Sequence, residues 1–160
     1  MFTVAICFRP DATEDHPMQK ALAPEISTWP DTDTQLIGSR CGDCGATTFP
    51  IQQRCPKCSK GDMSDVLLPR QGKRVAWTTQ GFPPGVPYKG PVGKDFVPFG
   101  VGLVQLDDVI RVEGRLTEND PGKLEFGMEV ALTMMPFSTD ADGNELVTFA
   151  FQPVQRGSRT

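Results

Sequence analysis

The chain has 160 residues, a formal charge of −4, 38% hydrophobic and 22% charged residues. That is an ordinary water-soluble composition with enough chain for one modest core, or a core and a small appendage. No apolar run approaches the roughly 20 residues a membrane-spanning helix needs, and 5 cysteines are too few for a disulfide scaffold.

The opening MFTVAICFRP is too short, and lacks the basic leader, for a signal peptide, so a cytoplasmic location is expected. Residues 1–35 carry 2 basic and 6 acidic side chains and read as an N-terminal arm. Residues 1–9 alternate weakly as a strand would, and Cys7 there reads as a small buried apolar residue. Met18, Leu22 and Ile26 fall on one helical face, with Pro17 suited to a first turn and Pro24 a break. The arm is therefore expected to hold one or two short helices.

Residues 36–64 are organised by cysteine. Cys41 and Cys44 form one Cys-x-x-Cys pair, Cys55 and Cys58 a second, with ten residues between the pairs. Two intervening residues let a tight turn aim both sulfurs at one ion, and four thiolates satisfy tetrahedral Zn2+ completely. Gly42, Gly45 and Pro56 suit such turns, and the ten residues between the pairs have the length of a hairpin. Two redox dithiols are the alternative, but the βαβ context of that chemistry is missing. A closed set of four thiolates is structural, because no position stays open for water. Arg40, Arg54, Lys57 and Lys60 lie close in sequence and would offset the negative charge of the cluster.

Residues 65–154 read as five strands. Segments 73–80, 99–106, 109–116, 128–135 and 145–152 are rich in β-branched and aromatic residues. In the third, Ile110, Val112, Gly114 and Leu116 alternate against Val109, Arg111, Glu113 and Arg115, the pattern of a half-buried strand. Residues 119–127 offer a helical turn before the fourth strand, and Asp142-Gly143 is a hairpin turn pair. Five strands with these connections fit a five-stranded barrel of the OB type. Between the first two strands, residues 81–98 hold four Gly and five Pro, which excludes regular structure. A loop of that length in a compact domain is usually functional, and Phe82, Tyr88 and Phe96 favour an ordered or docking loop. Residues 155–160 read as a frayed tail. The fold class expected is thus mainly β: a helical arm (1–35), a four-cysteine zinc ribbon (36–64), an OB-type barrel (65–154) and a tail (155–160).

No catalytic constellation stands out. His16 is the single histidine and reads as a surface or capping residue, so Ser–His and Cys–His pairs have no second member. Asp107-Asp108 reads as a turn before a strand, and no phosphate-binding glycine loop occurs. Residues 36–100 carry net charge +5 between acidic ends of −4 and −5, which suits an anionic ligand or acidic partner more than a broad nucleic-acid footprint.

The order of these parts resembles a known family. The four cysteines, Phe49-Pro50 between the knuckles, Gly127-Met128-Glu129-Val130 and the closing Phe151-Gln152-Pro153 are similar to the zinc-ribbon OB-fold proteins that accompany acyl-CoA enzymes, chiefly of the thiolase superfamily. The likeness runs over about residues 14–154, and Ser59 departs from it where a glycine is usual. The resemblance implies a non-catalytic small subunit in a hetero-oligomer, with structural Zn2+ on the four cysteines and the catalytic residues on a thiolase-superfamily partner. It also implies an acyl-CoA thioester at the interface, where Lys89 and Lys94 of the 81–98 loop would meet a CoA phosphate. The thiolase-associated members look most similar, among them the small subunit of the enzyme that cleaves benzoylsuccinyl-CoA in anaerobic toluene breakdown. A hydratase or aldolase accessory subunit is the alternative; a single-stranded nucleic-acid binder fits less well, and a membrane role not at all.

Overall fold

The computed structural model describes residues 18–154. Among the described residues nine strands carry the fold: β1 (Gln19–Ala21), β2 (Ile37–Cys41), β3 (Thr47–Thr48), β4 (Met63–Leu67), β5 (Gln71–Gln80), β6 (Phe99–Leu106), β7 (Ile110–Leu116), β8 (Glu129–Thr139) and β9 (Glu145–Pro153). Strands β2, β3 and β4 form a small antiparallel sheet in the order β3-β2-β4. The rest lie in the order β1-β9-β7-β6-β5-β8, and a further β8–β9 pairing closes β5 to β9 into a five-stranded barrel. β7 and β9 run parallel at the closure, Arg115 opposite Ala150 and Leu116 opposite Phe151. Among the described residues no helix is long and apolar enough to cross a membrane.

Alternation decides which face of each strand fills the barrel. In β6, Gly100, Gly102, Val104 and Leu106 point inward and are buried; Phe99, Val101, Leu103 and Gln105 lie on the other face. In β7, Val112, Gly114 and Leu116 are buried while Arg111 and Glu113 are exposed, as the alternation in sequence predicts. Leu124, Val130, Leu132 and Phe151 complete the barrel interior, and Leu36 and Leu68 from the ribbon side join the same cluster. Glycines let that core close. A Cβ on Gly114 would stand 2.8 Å from a ring carbon of Phe149 and 2.9 Å from one of Phe151.

Ribbon and barrel share their packing. Phe49 meets Phe149 edge-on at 5.7 Å, and Phe149 meets Phe151 at 6.1 Å. Gln35 Nε2 donates to the Leu68 carbonyl at 3.0 Å, and the Leu68 amide donates to the Leu36 carbonyl at 2.9 Å.

The helical arm expected from the spacing of Met18, Leu22 and Ile26 is not formed in the described residues. Residues 19–21 pair in parallel with Glu145–Val147 of β9, and a short 3-10 turn follows at Pro24–Ile26. The reason is competition for backbone bonds. The open edge of β9 gives this segment ladder partners, with Leu22 N–H donating to Val147 and Glu145 N–H to Met18, whereas Pro24 would interrupt a helix before it closed two turns. The strand expected over 1–9, Cys7, His16 and the tail lie outside the described residues.

Candidate metal centre

Each Cys-x-x-Cys pair sits in a turn of the same design. In the first knuckle, Gly45 N–H donates to the Cys41 carbonyl at 2.9 Å and Cys41 N–H to Ala46 at 2.9 Å. In the second, Ser59 N–H donates to Cys55 at 2.8 Å and Cys55 N–H to Lys60 at 2.8 Å. Strand pairing positions the first turn: Ser39 and Arg40 of β2 pair with Thr48 and Thr47 of β3, so the knuckle is itself the hairpin tip. The hairpin expected between the two pairs is therefore displaced, folding around Cys41–Ala46. The second knuckle is held from the side. β4 pairs with β2 up to Cys41 opposite Met63, and Gly42 N–H donates to the Asp62 carbonyl at 2.9 Å. Lys60 Nζ reaches Asp43 Oδ1 at 2.6 Å and ties one knuckle to the other. Arg54 donates to the Ser59 carbonyl at 3.3 Å.

These supports bring four sulfurs together. The ligand atoms of Cys41, Cys44, Cys55 and Cys58 all lie within 4.8 Å of one another. Cys41 and Cys58 sulfurs stand 3.6 Å apart, and Cys44 and Cys55 sulfurs 3.5 Å apart. A disulfide would need about 2.05 Å; a tetrahedron with Zn–S bonds of about 2.3 Å has edges of about 3.8 Å. The cluster therefore has metal-site dimensions and is not a pair of disulfides. Cys41 and Cys55 are 1% exposed, while Cys44 and Cys58 are half-buried.

Electrostatics leads to the same requirement. The backbone N–H of Cys58 donates to the Cys55 sulfur and, with smaller contributions from Lys57, Cys44 and Cys58 outweighing burial, draws its thiol down to about 6. Cys58 moves the other way: the Lys60 amide favours its thiolate, yet burial and the Cys44, Cys41 and Cys55 sulfurs push it up to about 12. Crowded sulfurs resist losing all their protons together unless a cation sits among them. Four thiolates around one dication fit that demand, and the donor set is the soft one that Zn2+ favours.

The other residues singled out from sequence lie elsewhere. Lys89 and Lys94 are both exposed on the 81–98 loop. Lys89 borders a groove lined by Leu22, Pro84, Pro87, Tyr88 and Phe137, and Lys94 lies in a 3-10 turn at Gly93–Asp95. The loop is ordered against the barrel by Tyr88, edge-on to Phe137 at 5.7 Å. Sequence reasoning missed Arg74, which is 1% exposed. Its guanidinium donates to the Glu125 carbonyl, and its backbone bonds to Met128 and Gly127 at 3.0 and 2.8 Å. Alternation could not flag it, because a bulge between Arg74 and Ala76 shifts the register of β5.

Comparison with known proteins matches both halves. The model of the ChsH2 rubredoxin-like zinc ribbon domain covers residues 32–64, and that of the ChsH2 C-terminal OB-fold domain covers 65–134. A DUF35 domain-containing scaffold protein of Pyrococcus furiosus is 30% identical over 122 residues, 75% of this chain and 84% of that protein. A probable enoyl-CoA hydratase alpha subunit of Thermomonospora curvata is 28% identical over 155 residues, 91% of this chain but 45% of that protein, so the chain spans under half of it. Among solved structures, an Ltp2-ChsH2(DUF35) aldolase superposes with a TM-score of 0.54 at 26% identity, over 74% of this chain and 84% of the matched one.

Proposed function

The chain belongs to the DUF35 family, and from that premise we propose that it is a scaffold subunit with no reactive centre of its own, completing a larger enzyme that handles acyl-CoA thioesters. Cys41, Cys44, Cys55 and Cys58 hold one structural Zn2+, which fixes the ribbon against the barrel and leaves no coordination site for substrate.

One observation carries the reading. A barrel whose interior is filled with side chains presents a loop, 81–98, that holds Phe82 72%, Val86 100%, Val92 58% and Val97 66% exposed. Four large apolar side chains left exposed on one loop support a contact surface there. The names of the similar proteins, a scaffold, a hydratase subunit and an aldolase pairing a DUF35 chain with Ltp2, support a catalytic chain as what covers it.

The resemblance in sequence puts a thiolase-superfamily enzyme first as partner, with benzoylsuccinyl-CoA as one substrate to test. A hydratase or aldolase partner is the second reading, favoured by the names of the relatives. In either case Lys89 and Lys94 belong to the same loop as these apolar residues, and compact positive charges there would suit a CoA phosphate.

The test is copurification from the native source, then reconstitution and assay with ketoacyl-, enoyl- and hydroxyacyl-CoA. A larger acyl-CoA enzyme that gains activity or solubility from this chain supports the reading, and the substrate accepted separates the two partners. A chain that stays monomeric and captures no such enzyme, or that turns over a thioester alone, contradicts it.

A further inference from the structure

Arg115 lies on the outer face of β7, opposite Val101 of β6. Its guanidinium carbon sits 4.1 Å from the centroid of the Phe99 ring, and Phe99 packs against Phe96 of the 81–98 loop at 6.1 Å. The side chain is half-buried. Its Nε is shut off from solvent and has no hydrogen-bond partner, and Arg115 enters no ion pair among the described residues. Arg70 has Asp33 at 2.6 Å and Arg111 has Gln105 at 2.9 Å. Arg74, whose Nε is likewise buried without a partner, still donates through its guanidinium to the Glu125 carbonyl, whereas Arg115 has no side-chain hydrogen bond among the described residues.

The buried Nε is closed to an incoming ligand, but the Nη donors at the end of this half-buried guanidinium have no acceptor among the described residues and are free to engage an external anion. Burial pushes its pKa down, and the nearby Tyr88 opposes that shift. Tyr88 also lines the groove that Lys89 borders. The outer faces of the second and third barrel strands, with the loop joining the first and second, are the part of an OB barrel that takes ligands. Here these are β6, β7 and the 81–98 loop. Arg115, Phe99 and Tyr88 thus bring one cation and two aromatic rings to this face, and Lys89 follows Tyr88 along the loop.

We propose that Arg115, stacked on Phe99 with Tyr88 nearby, is an oxyanion site for a phosphate monoester on an aromatic nucleotide, the chemistry found at the nucleotide end of CoA. The choice of CoA over other nucleotides rests on the scaffold reading above; the oxyanion site does not. The fork of Nη donors meets the phosphate oxygens, and the Tyr88 ring offers the base a plane beside them. Because Phe99 fixes the guanidinium from below, little side-chain freedom is lost when the anion arrives.

The test is a titration of the zinc-loaded full chain with CoA, dephospho-CoA and inorganic phosphate, followed through the Arg Nε–Hε resonances. CoA is expected to shift the Arg115 signal saturably, and dephospho-CoA to bind at least about tenfold more weakly, as loss of a charge-assisted contact requires. Arg115→Met should abolish the effect. Arg115→Lys, which keeps the charge without the planar fork, should weaken it several-fold and covers the case in which the methionine variant does not fold. No shift at millimolar CoA, equal binding by CoA and dephospho-CoA, or tighter binding of a thymidine oligonucleotide than of CoA would overturn the proposal. Because the chain is tested alone, CoA binding without capture of an enzyme would remove only the partner reading.

Discussion

Ser59 stands in the second knuckle where Gly45 stands in the first. Both residues adopt left-handed backbone, with φ of 61° and 71°, and both donate their N–H to the carbonyl of the cysteine four residues before. The two turns are the same device, and one of them is built with a residue that carries a side-chain penalty there.

Ser59→Gly should therefore stabilise the ribbon by about 0.5–1 kcal/mol, the strain relieved less the extra entropy of glycine when unfolded. Gly45→Ala should cost about 1–2 kcal/mol, although its Cβ would meet nothing closer than an Arg40 nitrogen at 3.8 Å. Thermal unfolding of the metal-loaded proteins checks both signs; a destabilised Ser59→Gly would mean that the hydroxyl has a role in the knuckle.

Removing one sulfur should empty the site. Cys55→Ser places a hard oxygen in a buried four-sulfur cluster, and the affinity for Zn2+ should fall at least about 100-fold, since changes outside the ligand set alone cost 10–100-fold. Because Cys41 ends β2 and β3 lies between Cys44 and Cys55, amide signals of Ile37–Lys60 should collapse while those of β6 and β7 persist. Equilibrium dialysis against a chelator, followed by amide NMR, checks both parts.

Gly114→Ala should be felt through the barrel. The new methyl would sit 2.8–2.9 Å from ring carbons of Phe149 and Phe151, and overpacking of this kind costs about 1–3 kcal/mol. Phe151 is 0% exposed and has little room to yield. Denaturant unfolding measures the loss; an unchanged midpoint would show that the rings relax.

Acid should weaken the β8–β9 hairpin. The Asn144 side chain, then its backbone N–H, Lys20 and Asp142, hold the Asp140 carboxyl down at about 2 against an ordinary 3.8. A carboxyl lowered by folding contributes stability above its unfolded pKa and loses it as protons are taken up. The contribution is thus intact above about pH 4 and fades towards pH 2. Asp140→Asn should flatten that dependence, read from unfolding midpoints across the window.

What sequence made legible follows from where side chains decide structure alone. Cysteine spacing locates the metal site because two intervening residues permit few geometries, and the five barrel strands announce themselves by alternation: 99–106 is expected and found, and 109–116 is found as Ile110–Leu116. Strand β4 was not legible, since MSDVL buries no residue completely and is recruited by the edge of β2. Residues 19–26 misled for the same reason. A helical spacing of apolar residues says nothing of an unpaired edge on β9, more than a hundred residues away, that offers hydrogen bonds. By alternation Arg115 is one member of a largely charged outer face; the missing partner of its Nε appears only when the strands are assembled.

The most direct measurement is the metal content of protein purified without added metal or chelator, by elemental analysis against amino-acid quantitation. The account predicts one zinc and no iron per chain, lost in Cys55→Ser. A metal-free protein that keeps its ribbon folded, or one carrying iron at the four sulfurs, would contradict it.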